Sequence, residues 1–138
     1  MERIWYSGGS IAASGTQKAE NPIQLVRART VTFTVRTTFN ASATGDLRAD
    51  VFFSPDGENW DTIVYTSFDI AVTAGGTVQR SVNVDPPEHG YLKMDLVNED
   101  QTYAITNYKT WFSIQSNLPY PDWETLARGE ITTKVEAD

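Results

Sequence analysis

The chain offers one histidine and no cysteine for chemistry. His89 stands in Pro86-Pro87-Glu88-His89-Gly90, a stretch whose two prolines carry no ladder N–H. A Ser-His-acid triad would have to use it, yet no Gly-x-Ser-x-Gly elbow presents a serine. Zinc sites draw on histidine and cysteine, so a zinc centre is not expected. Two oxygen-rich clusters come next: Asp56, Glu58, Asn59 and Asp61, then Asp95, Asn98, Glu99 and Asp100. Neither has the helix-loop-helix calcium spacing, and both read as acidic turns. Eighteen acids provide many carboxylate pairs, but no spacing forces two into one cleft. Ring stacking is left. Trp60 and Trp111, with Tyr108, are the residues that would form a platform for a sugar. The expectation is therefore no catalytic residue, no cofactor and no metal ligand.

Those residues need elements to hold them. The 138 residues suit a single domain, and 40% hydrophobic with 12% aromatic residues supply a core. Without cysteine, the fold must stand without disulfides. A net charge of −7 disfavours nucleic acid as a partner, because such binding needs a basic footprint. No run of ~18 apolar residues would span a membrane. Met1 to Ser10 lacks a basic start and a long apolar run, which predicts no secretory signal and folding in a cytoplasm.

Val31, Phe33, Val35, Thr37 and Phe39 alternate with Thr32, Thr34, Arg36 and Thr38, a strand with one buried face. Leu47, Ala49, Val51 and Phe53 repeat the pattern, and Ala43-Thr44-Gly45-Asp46 between them predicts a hairpin. A third strand is expected after Trp60, from Thr62 to Val72, with Val64, Phe68, Ile70 and Val72 on one side. Gly75-Gly76 then predicts a hairpin into the strand of Val78, Val82 and Val84. Leu92, Met94 and Leu96 mark a further strand. The last has Tyr108, Phe112 and Ile114 on one face and Lys109, Trp111 and Ser113 on the other. Evenly spaced strands with turn signals predict an all-β fold: an antiparallel β-sandwich, jelly-roll-like, of about seven or eight strands.

The organisation expected is an N-terminal arm over 1–21, the sandwich over 22–116 and a C-terminal extension over 117–138. Pro121 to Arg128 has the caps of a short helix. Neither end has the pattern to build its own core. Both carry large rings, Trp5 and Tyr6 in one and Tyr120 and Trp123 in the other, and aromatic residues are favoured interface anchors. These four are the candidate interface residues. Trp60 and Trp111 are candidate glycan contacts for the alternative reading, a carbohydrate-binding module.

Ser54 to Trp60, "SPDGENW", reads as a β-hairpin tip. Pro55 sets a turn angle, and Asp56-Gly57 tolerates the left-handed conformation. With its flanking strands, this pattern of Ser54, Asp56, Gly57 and Trp60 resembles small β-sandwich structural proteins of tailed bacteriophages: capsid decoration, head-completion and tail components. The valine-rich strand after Gly75-Gly76 and "YLKMDLVNED", Tyr91 to Asp100, are similar to them as well. The likeness covers Val31 to Gln115. It implies a non-enzymatic virion component, assembled in the host cytoplasm and present in many copies. Its implied partners are copies of itself, as a homo-oligomer, and other virion proteins such as the major capsid protein.

Overall fold

A computed structural model describes residues 2–7, 9–19 and 21–116. Nine strands are present among the described residues: β1 (Glu2–Ser7), β2 (Thr16–Gln17), β3 (Ile23–Val26), β4 (Ala28–Thr38), β5 (Leu47–Ser54), β6 (Thr66–Ile70), β7 (Thr77–Val84), β8 (His89–Asn98) and β9 (Asn107–Ser116). The described residues contain no helix. The strands form two antiparallel sheets. One has four strands in the order β1-β9-β4-β7; the other has five, in the order β2-β8-β5-β6 with β3 also on β8. β2 lies against Leu96 and Val97 and β3 against His89 to Leu92, so the two act as one interrupted strand along β8. The result is an antiparallel jelly-roll sandwich, in which the chain crosses between the sheets at every connection except β2–β3 and β5–β6.

Alternation decides what fills the core. Val31, Phe33 and Val35 of β4 are buried, and so are Leu47, Ala49 and Val51 of β5 and Leu92, Met94 and Leu96 of β8. Thr32, Thr34 and Thr38 of β4 face outward and bond across to β7, to Asn83 at 2.7 Å, Ser81 at 2.8 Å and Thr77 at 2.9 Å. These cross-strand pairs hold the β4–β7 register.

Three expectations of pairing change. β4 and β5 do not form a hairpin: β4 pairs with β7 and β9, while β5 pairs with β6 and β8. The stretch at 39–46 carries the chain from one sheet to the other. The Gly75-Gly76 turn is a crossover too, because β6 and β7 belong to different sheets. The two crossovers lie side by side, with Phe39 N–H donating to Gly76 O and Gly75 N–H to Asn40 O, each at 3.0 Å. The third strand starts at Thr66, not directly after Trp60.

Residues before 22 do not stand apart from the sandwich. β1 pairs with β9 as an edge strand, shifting register between Ile4 and Tyr6. Ile11 bridges Ile105 and is 2% exposed, within the core. β2 then joins the second sheet. One buried isoleucine and two short pairings draw this glycine- and serine-rich segment into the fold, so the N-terminal segment read as an arm is part of the body. The C-terminal extension expected over 117–138, and the short helix expected within it, fall outside the described residues.

Candidate functional site

The sandwich has two ends. At one lie the connections β1–β2, β4–β5, β6–β7 and β8–β9. At the other lie β3–β4, β5–β6 and β7–β8, together with the last residue of β9.

The first end is closed by polar groups directed inward. Asn98 is fully buried, and its Nδ2 donates to Ile11 O and Ala12 O at 3.3 Å and to Tyr103 O at 3.0 Å. Asp100, 2% exposed, accepts backbone N–H groups from Thr44 at 2.7 Å, Gly45 at 3.0 Å, and Thr102 and Tyr103 at 2.8 Å. Those four donors, Thr44 foremost, hold its carboxyl far below the ordinary carboxylate range. Gly45 lies so close that a Cβ there would sit 2.5 Å from Asp100 Cα and N. This end is a clamp joining three loops, and it presents no open polar group from Asn98 or Asp100.

The second acidic cluster of the sequence is therefore taken apart by the fold. Asn98 and Asp100 serve the clamp. Glu99 accepts from Arg48 Nη1 at 3.0 Å. Asp95 faces the outer side of the five-stranded sheet, where it accepts Ala19 N–H at 2.9 Å and lies 3.6 Å from Lys18 Nζ. Asp46, Asp69 and Glu99 do bring carboxylate oxygens within 4.8 Å of one another. Asp46 already accepts Val72 N–H, and Glu99 is paired with Arg48.

A carboxylate pair that the sequence spacing did not reveal is Asp50 and Asp95, opposite each other on β5 and β8 and 8% and 2% exposed. Arg48 grips Asp50 through Nε at 3.0 Å and Nη2 at 3.1 Å, which pushes the guanidinium pKa upward. Each acid thus has its own cation. The signal that would have found this pair is the β5–β8 register.

The first acidic cluster is a turn. Ser54 Oγ accepts Gly57 N–H at 2.8 Å, and Asp56 Oδ1 accepts the N–H groups of Glu58 at 2.9 Å and Asn59 at 2.8 Å. These bonds, with Asn59 first, hold the Asp56 carboxyl well below its ordinary range. Gly57 adopts φ 82°, as the left-handed turn position requires. Asp61 N–H then returns to Phe53 O at 3.0 Å and Tyr65 N–H to Val51 O at 2.7 Å. Thr62, Ile63 and Val64 bow outward between those two anchors.

The candidate sugar platform is not assembled. Trp111 is on the outer face of the four-stranded sheet, with Arg36 Cζ 5.6 Å and Lys109 Nζ 5.2 Å from its ring centroid. Trp60 lies by the five-stranded sheet, with Lys93 Nζ at 4.9 Å. Tyr108 is 5% exposed and packs in the core. Trp5 and Tyr6 lie in β1, and Tyr120 and Trp123 lie outside the described residues. His89 is exposed at the start of β8, opposite Val26.

The second end presents apolar side chains beside the exposed carboxylates of Asp56, Glu58, Asp61, Asp85 and Glu88. Val26 (51% exposed), Ile63 (79%), Val64 (40%) and Tyr65 (42%) are the exposed large hydrophobics among the described residues, and all four belong to it. Hydrogen bonds tie its parts together: Tyr65 Oη to Asp85 O at 2.7 Å, Ala28 N–H to Glu88 O at 3.0 Å and Ser116 Oγ to Val26 O at 3.2 Å. Sequence reasoning missed this surface, because Thr62 to Val72 read there as one continuous strand, with Val64 on the same side as Phe68 and Ile70.

No protein-family model matches the chain, and no curated protein sequence matches it. Solved structures do. The mitogen from Yersinia pseudotuberculosis is similar over 86% of this chain and 89% of its own, at 14% identity and a TM-score of 0.53. A structure from the Gx strain of infectious bursal disease virus is similar over 86% of this chain, at 14% identity and a TM-score of 0.52. This chain spans only 33% of that viral protein's length. At such identities the likeness is one of fold: this chain has the β-sandwich shared by a bacterial mitogen and a portion of a viral protein.

Proposed function

We propose that the chain is a non-enzymatic structural protein of a virion, a capsid decoration or other accessory component. It works by assembling with copies of itself and docking on other virion proteins, such as the major capsid protein. The observation that carries this reading is the apolar end. The sandwich has a filled core and, among its described residues, keeps the large exposed hydrophobics at one pole, and such surfaces are where proteins meet partners. The hairpin tip that resembles phage sandwich proteins belongs to the same pole. The jelly-roll topology is compatible with the reading, and infectious bursal disease virus supplies one structure of similar fold.

The mechanism is binding by a preformed body. Two hydrogen-bonded sheets fix the positions of the pole's loops before any partner arrives, so little ordering free energy is lost on docking. Tyr120 and Trp123 remain the proposed C-terminal anchors. Trp5 and Tyr6 remain the proposed N-terminal contacts; they belong to β1, the outer strand of the four-stranded sheet among the described residues, where a neighbouring copy can add.

The test is the native mass of the full-length chain by light scattering, followed by electron microscopy of the particles. A multi-copy particle that falls to a single chain when residues 117–138 are removed is expected. A single chain at every concentration, which also fails to decorate capsids, overturns the reading.

A further inference from the structure

We infer that the pole with the exposed hydrophobics docks on a second copy, against the outer face of its four-stranded sheet. Ile63, Val64 and Tyr65 then lie beside Trp111, and Glu58 and Asp61 face Arg36 and Lys109. The inference rests on the assembly reading above and names its contact.

Two features set what the pole accepts. Asp61 and Tyr65 donate backbone N–H groups to Phe53 O and Val51 O, so the exposed Ile63 and Val64 are displayed between two fixed points. Side chains on such an anchored bow lose little freedom when covered. The same loop exposes Asp56, Glu58 and Asp61, and Asp85 and Glu88 are exposed on the β7–β8 connection. Among the described residues, no ion pair uses any of these five acids. The complement of this surface is apolar and cationic, and two like poles would set carboxylate against carboxylate.

One surface of the described body meets that need. On the outer face of the four-stranded sheet, Arg36 Cζ and Lys109 Nζ lie 5.6 Å and 5.2 Å from the Trp111 ring centroid. Neither cation enters an ion pair among the described residues. Around them β4, β7 and β9 place threonine, serine, asparagine and glutamine on this face and no carboxylate; Asp85 lies beyond the end of β7. Thr34 bonds Ser81, Thr38 bonds Thr77 and Arg36 Nε donates to Gln79 Oε1, so covering the face strands none of these groups. The other described cations are engaged or lie at the pole itself. Arg48 is held by Asp50 and Glu99, Lys18 lies by Asp95, and Arg80 donates to Asp69 O. Lys93 stands against Trp60 of the pole's own loop, and Arg27 and Arg29 are exposed where β3 passes into β4.

Geometry requires a second copy. The pole lies at the ends of the strands and the cationic face along their sides, within one body of two hydrogen-bonded sheets. A chain cannot bring one onto the other. Each copy therefore offers one pole and one face, a heterologous contact that repeats beyond a pair.

The experiment uses the full-length chain and two blocked variants. Ile63→Asp closes the pole; Arg36→Glu with Lys109→Glu closes the face. Each alone should sediment as a single chain. Their mixture should give a one-to-one pair, because one variant supplies an intact face and the other an intact pole. Each block should weaken association roughly tenfold, the equivalent of about 1.4 kcal/mol. Adding Glu58→Lys with Asp61→Lys to the face variant should restore assembly, which also shows that the variant folds. Photoreactive benzoylphenylalanine at Ile63 should cross-link to the peptide that carries Trp111 in another copy. A mixture that stays as single chains, a face variant that assembles like the unchanged chain, or a cross-link to any other segment overturns the inference. The native mass of the unchanged chain separates the two ideas. A multi-copy particle whose cross-link lies elsewhere removes this contact and leaves the assembly reading; a single chain at every concentration removes both.

Discussion

The two poles of the sandwich use opposite kinds of side chain for opposite purposes. At the closed pole, Asn98 and Asp100 are buried and satisfy backbone groups from three loops. At the apolar pole, Ile63 and Val26 stand in solvent while the backbone beneath them is bonded to β5 and β8. Polar groups turned inward leave a surface with little to offer a partner. Apolar groups turned outward leave free energy that only a second molecule can recover. One pole therefore serves the stability of the monomer, and the other is the surface proposed for association. Substitutions at each should separate these roles.

The largest effect is expected at Gly45. A Cβ placed 2.5 Å from the Asp100 backbone cannot be relieved by a rotamer change, so Gly45→Ala should cost about 3–4 kcal/mol in urea unfolding. Near-wild-type stability would mean that the clamp is looser than described. Asn98→Ala comes next. It removes three donor contacts to Ile11, Ala12 and Tyr103 and strands their carbonyls, at a cost of about 2–3 kcal/mol in the same measurement.

Acid should act on the same pole. The Asp100 carboxyl is depressed from its ordinary value of 3.8, so the unfolded chain takes up this proton before the folded one does. Its contribution to stability is then complete above that value and is lost as the pH falls through it and below. Unfolding followed from pH 6 to pH 2 should show a declining stability, and Asp100→Asn should flatten the decline. Asp56 is depressed in the same direction, so part of the slope will persist in that variant. An unchanged slope would move the acid sensitivity away from the clamp.

The smallest effect on stability, and the sharpest test of the contrast, belongs to the apolar pole. Ile63→Asp should change the unfolding free energy by no more than about 0.5 kcal/mol, because the side chain contacts mainly water. The same variant should reduce the particle mass seen by light scattering. If it unfolds the protein instead, the pole is part of the core and the comparison fails.

How much of this was legible in the residues differs from element to element. Thr32 to Thr38 and Leu92 to Leu96 announce their buried faces through period two, and the structure buries those faces. Asp56-Gly57 announces its turn, and Gly57 sits at φ 82°. The segment before residue 22 gave no comparable signal. Ile11 is a lone apolar residue among small polar ones, and only its bridge to Ile105, far along the chain, makes it core. The candidate site was less legible still. Trp60 and Trp111 look alike in sequence, yet they lie by different sheets, each with its own cations.

Alternation by itself determined the fold class, the strand faces and the turn at Gly57, because each depends on neighbours within a few residues. Tertiary structure alone decided that β4 and β5 part into separate sheets and that Asn98 and Asp100 clamp loops instead of lining a site. It also decided that Val26 and Ile63 share a pole. The reason is that periodicity records which side of a strand is dry and carries nothing about which strand dries it. A hairpin and a crossover bury the same residues. The choice between them rests on hydrogen bonds and packing between segments tens of residues apart.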